Sequence, residues 1–355
     1  MIVPEQKVRL TSLSHGGGCG CKIAPGVLSE LLKTSVQFPL PKELLVGTET
    51  ADDAAVYQIN GHQALIATTD FFMPIVDEPR HFGQIAATNA ISDIYAMGGT
   101  PLMALAILGM PIHVLPPEDI AEILNGGREV CAKAGIPIAG GHSIDSVEPI
   151  YGLAVIGIID PKHLKRNATA QRGDVLILGK PLGVGIYSAA LKKEQLSTLH
   201  YEEMLKNTTQ LNTPGTRLAT LAGVHALTDV TGFGLLGHAL EIAKGSGLHA
   251  RIDYAQLQFL PQVQELAQQG FITGASRRNW QSYGDAIELD PSLGDVERAL
   301  LTDPQTSGGL LVACQADVAS QVLEIFAQEG FSRASIVGQI TGPSDGRVHL
   351  SVKAC

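Results

Sequence analysis

Apolar positions fall into short continuous runs and helically spaced stripes that take turns along the chain, separated by glycine and polar residues. Residues 64–69 read as a strand ending at Asp70, 83–97 as a helix stopped by Gly98-Gly99, and 103–108 as a buried strand. Residues 117–134 place Ile120, Ile123, Leu124, Val130 and Cys131 at helical spacing, with Gly135 as the stop. Residues 151–159 are almost continuously apolar, as a strand covered on both faces requires. The polar, turn-rich stretch 160–174 (DPKHLKRNATAQRGD) is the best candidate for a domain boundary. Beyond it come strands at 175–178, 309–313 and 334–339, a further one at 224–227, and helices near 183–193, 203–221, 234–245, 261–269 and 318–328. This alternation predicts an α/β (α+β) chain with two layered units. Residues 1–45 are glycine-rich early and then weakly helical.

Length and composition narrow the picture. A chain of 355 residues suits about two domains. Lys plus Arg is 25 against 35 for Asp plus Glu, a net charge of −10, which argues against a broad basic face for nucleic acid. With 45% apolar and 17% charged residues, disorder is excluded as the main state. Five Cys do not make a disulfide scaffold, and reduced thiols in the cytoplasm are expected. The start carries no signal-peptide pattern, and Cys355 is not the Cys of a CaaX box. The most apolar stretch, 101–115, is broken by Gly109 and Pro111 and is too short for a membrane span.

Four patterns carry candidate chemistry. His15-Gly-Gly-Gly-Cys19-Gly-Cys21-Lys22 puts two thiols and an ammonium on a loop free of side-chain bulk, and a nearby ammonium favours a thiolate. A flexible tail that happens to carry two Cys is the plain alternative. Asp52, Asp53, Asp70, Asp93, Asp229 and Asp303 sit at predicted element ends, where oxygen ligands suit Mg²⁺ and phosphates. Asn89 and Asp93 share one face of a helix whose neighbours are apolar. Gly140-Gly141-His142-Ser143 reads as a turn offering N–H groups and a hydroxyl to a phosphate, or simply as a turn. Gly232-Phe-Gly-Leu-Leu-Gly237 matches a dinucleotide fingerprint with Asp253 downstream, although Asp229-Val-Thr intervenes between strand and glycines. There is no Walker-type phosphate loop. Three Thr-Asp pairs (TTD at 68–70, LTD at 227–229 and 301–303) end predicted elements in a similar way. His225, His238, Cys131 and Cys314 read as core residues.

Taken together, SHGGGCGCKIAPGVL (14–28), LLVGTETADDAAVY (44–57), ATTDFFMPIVDEP (67–79), ATNAISDIYAMGG (87–99), AGGHSID (139–145), LTDVTGFGLLGH (227–238) and DPQTSGGLL (303–311) closely resemble the selenophosphate synthetase (selenide, water dikinase) family. The Asp-containing segments are shared more loosely with the aminoimidazole ribonucleotide synthetase-like ATP-binding superfamily. The resemblance implies a two-domain fold of that superfamily. A mobile Gly/Cys loop segment would span 1–45, an ATP- and Mg²⁺-binding domain 46–160, and a C-terminal α/β sandwich 161–355. It implies conversion of ATP, selenide and water to selenophosphate, AMP and orthophosphate, serving selenocysteine and selenouridine synthesis. It implies several Mg²⁺ ions, a K⁺ requirement, and a homodimer built on a β-barrel-like interface of N-terminal domains. A delivery partner resembling a cysteine desulfurase or selenocysteine lyase would fit the same reading. By the same resemblance Cys19 is the catalytic Cys and Lys22 the essential Lys, with Asp53, Asp93 and Asp229 as Mg²⁺ ligands. Thr50, Ala51, Asp52, Asp70, Gly141, His142 and Ser143 fall at nucleotide-binding positions, as do Lys22 and Asp93. Without the resemblance, an NAD-dependent oxidoreductase and a non-catalytic ATP-binding scaffold are the competing readings.

Overall fold

The computed structural model describes residues 8–23, 27, 31, 39–47, 52–344 and 346–355. Two sheets organise them. The first contains β1 (Leu44–Val46), β2 (Ala55–Asn60), β3 (Gln63–Phe72), β4 (Thr100–Met110), β5 (Ile138–Asp145) and β6 (Ile150–Ile159), in the order β1-β2-β3-β6-β4-β5. β3 and β6 pair antiparallel from Ala64↔Ile159 to Phe72↔Tyr151, whereas β4 and β5 run parallel. Strict alternation along β3 buries Ala64, Ile66, Thr68, Asp70 and Phe72 and turns Leu65, Ala67, Thr69 and Phe71 the other way. Helices α1 (Pro79–Ala96) and α2 (Pro117–Lys133) pack together and α1 covers the buried face. The two helices meet almost backbone to backbone: a Cβ at Gly83 would overlap the Ile123 carbonyl, and one at Gly126 the Arg80 carbonyl.

The second sheet has the order β10-β13-β9-β12-β7-β11-β8. Its strands are β7 (Val175–Leu178), β8 (Val224–Asp229), β9 (Leu248–Asp253), β10 (Ile287–Leu289), β11 (Leu310–Cys314), β12 (Ser335–Pro343) and β13 (Leu350–Lys353). Around it lie α3 (Val184–Lys192), α4 (Thr198–Thr208), α5 (Pro214–Leu218), α6 (Gly234–Gly245), α7 (Val263–Gln268), α8 (Gly274–Tyr283), α9 (Asp295–Leu301) and α10 (Ala319–Gln328). Both faces are covered. Leu176 and Leu178 join the core under α6, while Ile177 joins the core with Val322 and Phe326 of α10, so VLIL is apolar throughout.

Several expectations need correction. The stretch 138–145 is a strand, not a Gly-Gly turn, because its backbone pairs with β4 from Ala104 to Met110. The predicted helix at 203–221 is two helices: α4 begins at Thr198, capped by the Ser197 hydroxyl, and Pro214 opens α5. β3 runs two residues past Asp70, so the first Thr-Asp pair lies inside a strand, whereas Asp229 does end β8. Among the described residues the first sheet is open within one chain, with β1 and β5 at opposite edges, an arrangement compatible with the expected interface between two chains. Among the described residues no helix is long and apolar enough to cross a membrane.

Candidate active site

The Gly/Cys loop is seated between the two sheets' elements. Residues Gly18–Cys21 form a 3₁₀ turn in which Cys19 is 1% exposed. Its thiol donates to Asn89 Oδ1 at 3.1 Å, and its N–H donates to Thr306 Oγ1 at 3.2 Å. The Gly18 N–H donates to the Met73 carbonyl, and Arg278 donates to the Gly20 carbonyl. Gly18 has φ +54, and a Cβ there would overlap the Thr306 hydroxyl, so glycine is needed for both conformation and contact.

Beneath the loop, β3 and α1 face each other. Asp70 and Thr68 share the inward face of β3, and Asn89 and Asp93 lie one helical turn apart on α1. The pairs interlock: Asn89 Nδ2 donates to Asp70 Oδ2 at 2.5 Å and Thr68 Oγ1 to Asp93 Oδ2 at 2.5 Å. Lys22, 39% exposed at its side chain, reaches Asp70 with Nζ 3.3 Å from Oδ2. Across the domain junction, the Thr228 hydroxyl donates to Asp53 Oδ1 at 2.9 Å, and Asp229 closes the cluster from the end of β8.

The electrostatics follow from crowding. Burial, then the Asp229 and Asp93 charges, hold Asp53 well above the usual carboxylate range. Burial, then Asp229 and Asp70, do the same to Asp93, and burial raises Asp229. Desolvation opposes charge on Lys22, but Asp70, Cys19, Asp93 and Asp229 outweigh it, so its ammonium is held well above its ordinary value. Burial first, and Asp70 second, push the Cys19 thiol up, with Lys22 opposing. Two carboxylate oxygens, Asp53 Oδ2 and Asp229 Oδ2, are buried without a hydrogen-bond donor. Buried, unpaired oxygens that repel one another fit a cation. Among the described residues no three His, Cys, Asp or Glu side chains form a ready-made cage, so a cation here would take other ligands as well.

Cys19, Lys22, Asp53, Asp70, Asp93 and Asp229 therefore come together. Thr50 and Ala51 lie outside the described residues. Asp52 accepts the Asn167 N–H at 2.6 Å through Oδ1. Gly141, His142 and Ser143 are exposed on β5, an edge strand, with no described hydrogen bond to the carboxylates. Asp303 caps α3, accepting from Gly185 N, Ile186 N and Gln305 Nε2. Asn89, Thr306 and Ser307 fall within the segments 87–99 and 303–311 but carry no expected role of their own; in the structure Ser307 N donates to the same Asn89 oxygen at 2.8 Å. The GFGLLG glycines are used up by packing: a Cβ at Gly232 would lie 2.6 Å from the Cys19 carbonyl, and Gly234 sits on Thr302. Cys131, Cys314 and His238 are buried, and His225 pairs with Asp174.

Comparison with known proteins settles the family. Residues 51–159 match the AIR synthase related protein N-terminal domain, and 171–351 its C-terminal domain. Selenide, water dikinase of Pseudomonas straminea is 70% identical over 94% of this chain and 93% of its own. The same enzyme of Dechloromonas aromatica is 63% identical, covering 97% and 99%, and that of Rhizobium meliloti 59%, covering 93% and 95%. The chain belongs to the selenide, water dikinase family. Solved structures share the fold at lower identity. Thiamine-monophosphate kinase from Stenotrophomonas maltophilia has a TM-score of 0.63 at 20% identity, covering 92% of this chain and 94% of its own. AaThiL complexed with AMPPCP and TMP has a TM-score of 0.62 at 18% identity, covering 93% and 92%. Membership of the selenide, water dikinase family sets aside the dinucleotide oxidoreductase reading, as does the packing of the GFGLLG glycines.

Proposed function

We propose that this chain is a selenophosphate synthetase, which converts ATP, selenide and water to selenophosphate, AMP and orthophosphate. The observation that carries the site assignment is the seating of the GCGCK loop. It sets the Cys19 thiol against Asn89 and the Lys22 ammonium against Asp70, directly over the carboxylate cluster. In this reading Cys19 handles selenium and Lys22 supplies a positive charge beside the transferred phosphoryl group. Asp53, Asp93 and Asp229 would hold Mg²⁺, whose bound charge neutralises carboxylate and phosphate oxygens that otherwise repel. Asp70 orients Lys22 and Asn89, and the buried walls around Cys19 keep water from the nucleophile. The K⁺ requirement rests on the family resemblance.

The segments 1–45, 46–160 and 161–355 would act as loop, nucleotide domain and C-terminal domain. A homodimer is supported by the apolar outward face of the first sheet, where Phe71, Met103 and Leu105 are exposed. β5 lies beside that face, so pairing of two chains would bring Gly141, His142 and Ser143 to a subunit boundary. The five thiols are free, which suits the cytoplasm.

The test is direct. Purified protein with ATP, Mg²⁺ and selenide should give a selenium-bearing phosphate by phosphorus NMR, with AMP release that depends on selenide. AMP release indifferent to selenide would refute the activity.

A further inference from the structure

The loop that carries Cys19 has two faces of opposite electrostatic character. Its inner face looks onto Asp53, Asp70, Asp93 and Asp229. Its outer face closes a cavity of about 570 Å³ whose walls include Cys21, Lys22, Lys192 and Arg278. In a chain of net charge −10, none of the described residues lining this cavity is an Asp or Glu. Lys192 donates to the Ser14 carbonyl at 3.0 Å and Arg278 to the Gly20 carbonyl at 3.0 Å, both neutral partners; Glu148, held by His15 behind the cavity wall, offsets part of the Lys192 charge and leaves Arg278 as the stronger cation. The cavity also takes in Thr273, Gly274 and Ala275, the first turn of α8, whose N–H ends add partial positive charge. Lys22 belongs to both sides, lining the cavity and pairing with Asp70.

We propose that this cavity is a docking chamber for hydroselenide, the monoanion that selenide forms at neutral pH. The inference rests on the proposed activity and adds where the nucleophile enters. An anion approaching from the carboxylate side meets four acids and the triphosphate. From the outer side it meets Arg278, Lys192 and the α8 terminus, and Lys22 carries the positive path through to the buried side. A cavity with one sign of charge and apolar walls such as Ile75 and Pro304 concentrates its counter-ion.

The experiment measures selenide-dependent AMP release with Arg278→Gln, Lys192→Gln, the double variant and Arg278→Lys. The KM for selenide should rise roughly five- to tenfold in the double variant, with the KM for ATP within about twofold and any fall in kcat smaller than the rise in KM. Arg278→Lys should retain most of the affinity. Iodide, a soft monoanion, should compete with selenide but not with ATP in the unaltered protein, relative to chloride at equal ionic strength. That competition should weaken in the double variant. An unchanged KM for selenide, a loss of kcat alone, or iodide inhibition that is not competitive with selenide overturns the chamber. Absence of any selenide-dependent AMP release in the unaltered protein would instead refute the activity on which the chamber rests.

Discussion

Cys19 is held as a thiol in the seated loop: burial and Asp70 disfavour its anion, and it donates to Asn89 rather than accepting. Its role therefore depends on the proton leaving, which neutralisation of Asp70 and its neighbours would ease. Cys19→Ser keeps a small donor in the same place, so nucleotide affinity should stay within about twofold while selenide-dependent AMP release falls by about 10³ or more. Calorimetric ATP binding and an AMP assay separate the two; near-normal turnover would remove Cys19 from the mechanism. Lys180 offers a second residue-scale test. It is 2% exposed, donates to the Gln210 and Ser307 carbonyls, and burial lowers its pKa from 10.5 to about 7. Between those values the unfolded chain binds a proton that the folded chain does not, so Lys180 makes stability rise with pH across that window. Relative to Lys180→Met, the unaltered protein should gain about 3 kcal/mol between about pH 6.5 and about pH 9.5. Urea denaturation at both pH values measures it, and parallel profiles would refute it. Cys19 and Lys22 are legible in GCGCK, whereas Lys180 is not. Its partner Ser307 lies 127 residues away, and Asn89 meets Ser307 across 218, distances over which no local spacing rule reaches.

The α1–α2 contact decides whether the site is in register. α1 carries Asn89 and Asp93, lies against β3 and β6 on one side, and is backed on the other by α2 through Gly83 and Gly126. Gly126→Leu would drive a side chain into the Arg80 carbonyl. We expect a loss of about 2–4 kcal/mol, with weaker nucleotide binding as α1 shifts. Thermal denaturation with and without ATP and Mg²⁺ tests both effects; an unchanged Tm would mean the helices are free to separate there. Elements with long, one-sided or continuous apolar patterns were legible: α2, α6, β6 and β7 lie within a residue or so of their expected bounds. The short strands β10 and β13 and the helices α8 and α9 were not. β10 has three residues, β9 mixes His and Arg into LHARID, and α8 is polar over most of its length (GASRRNWQSY). Their structure is imposed by tertiary pairing, such as β13 beside β9, rather than by local pattern.

At the scale of the molecule, the first sheet has one face under α1 and the other without a covering element among the described residues. Register puts Leu105 opposite Ala154 and Met103 opposite Ile156 on that outward face, with Phe71 opposite Gly152, while parallel pairing adds His142 and Ile144 of β5. Val147, just beyond β5, is 92% exposed. A contiguous apolar face of this kind is costly in water, and the proposed homodimer would cover it by pairing it with a second copy about a two-fold axis. The unaltered protein should therefore sediment as a dimer. Met103→Glu with Leu105→Glu would place like charges across such an axis and should give a folded monomer, with circular dichroism retained. AMP formation should fall with dimer content if His142 and Ser143 contact nucleotide only at the subunit boundary. A monomeric unaltered protein that turns over at full rate would show that one chain's carboxylate cluster and Gly/Cys loop suffice. It would also leave β5 with no part in nucleotide binding.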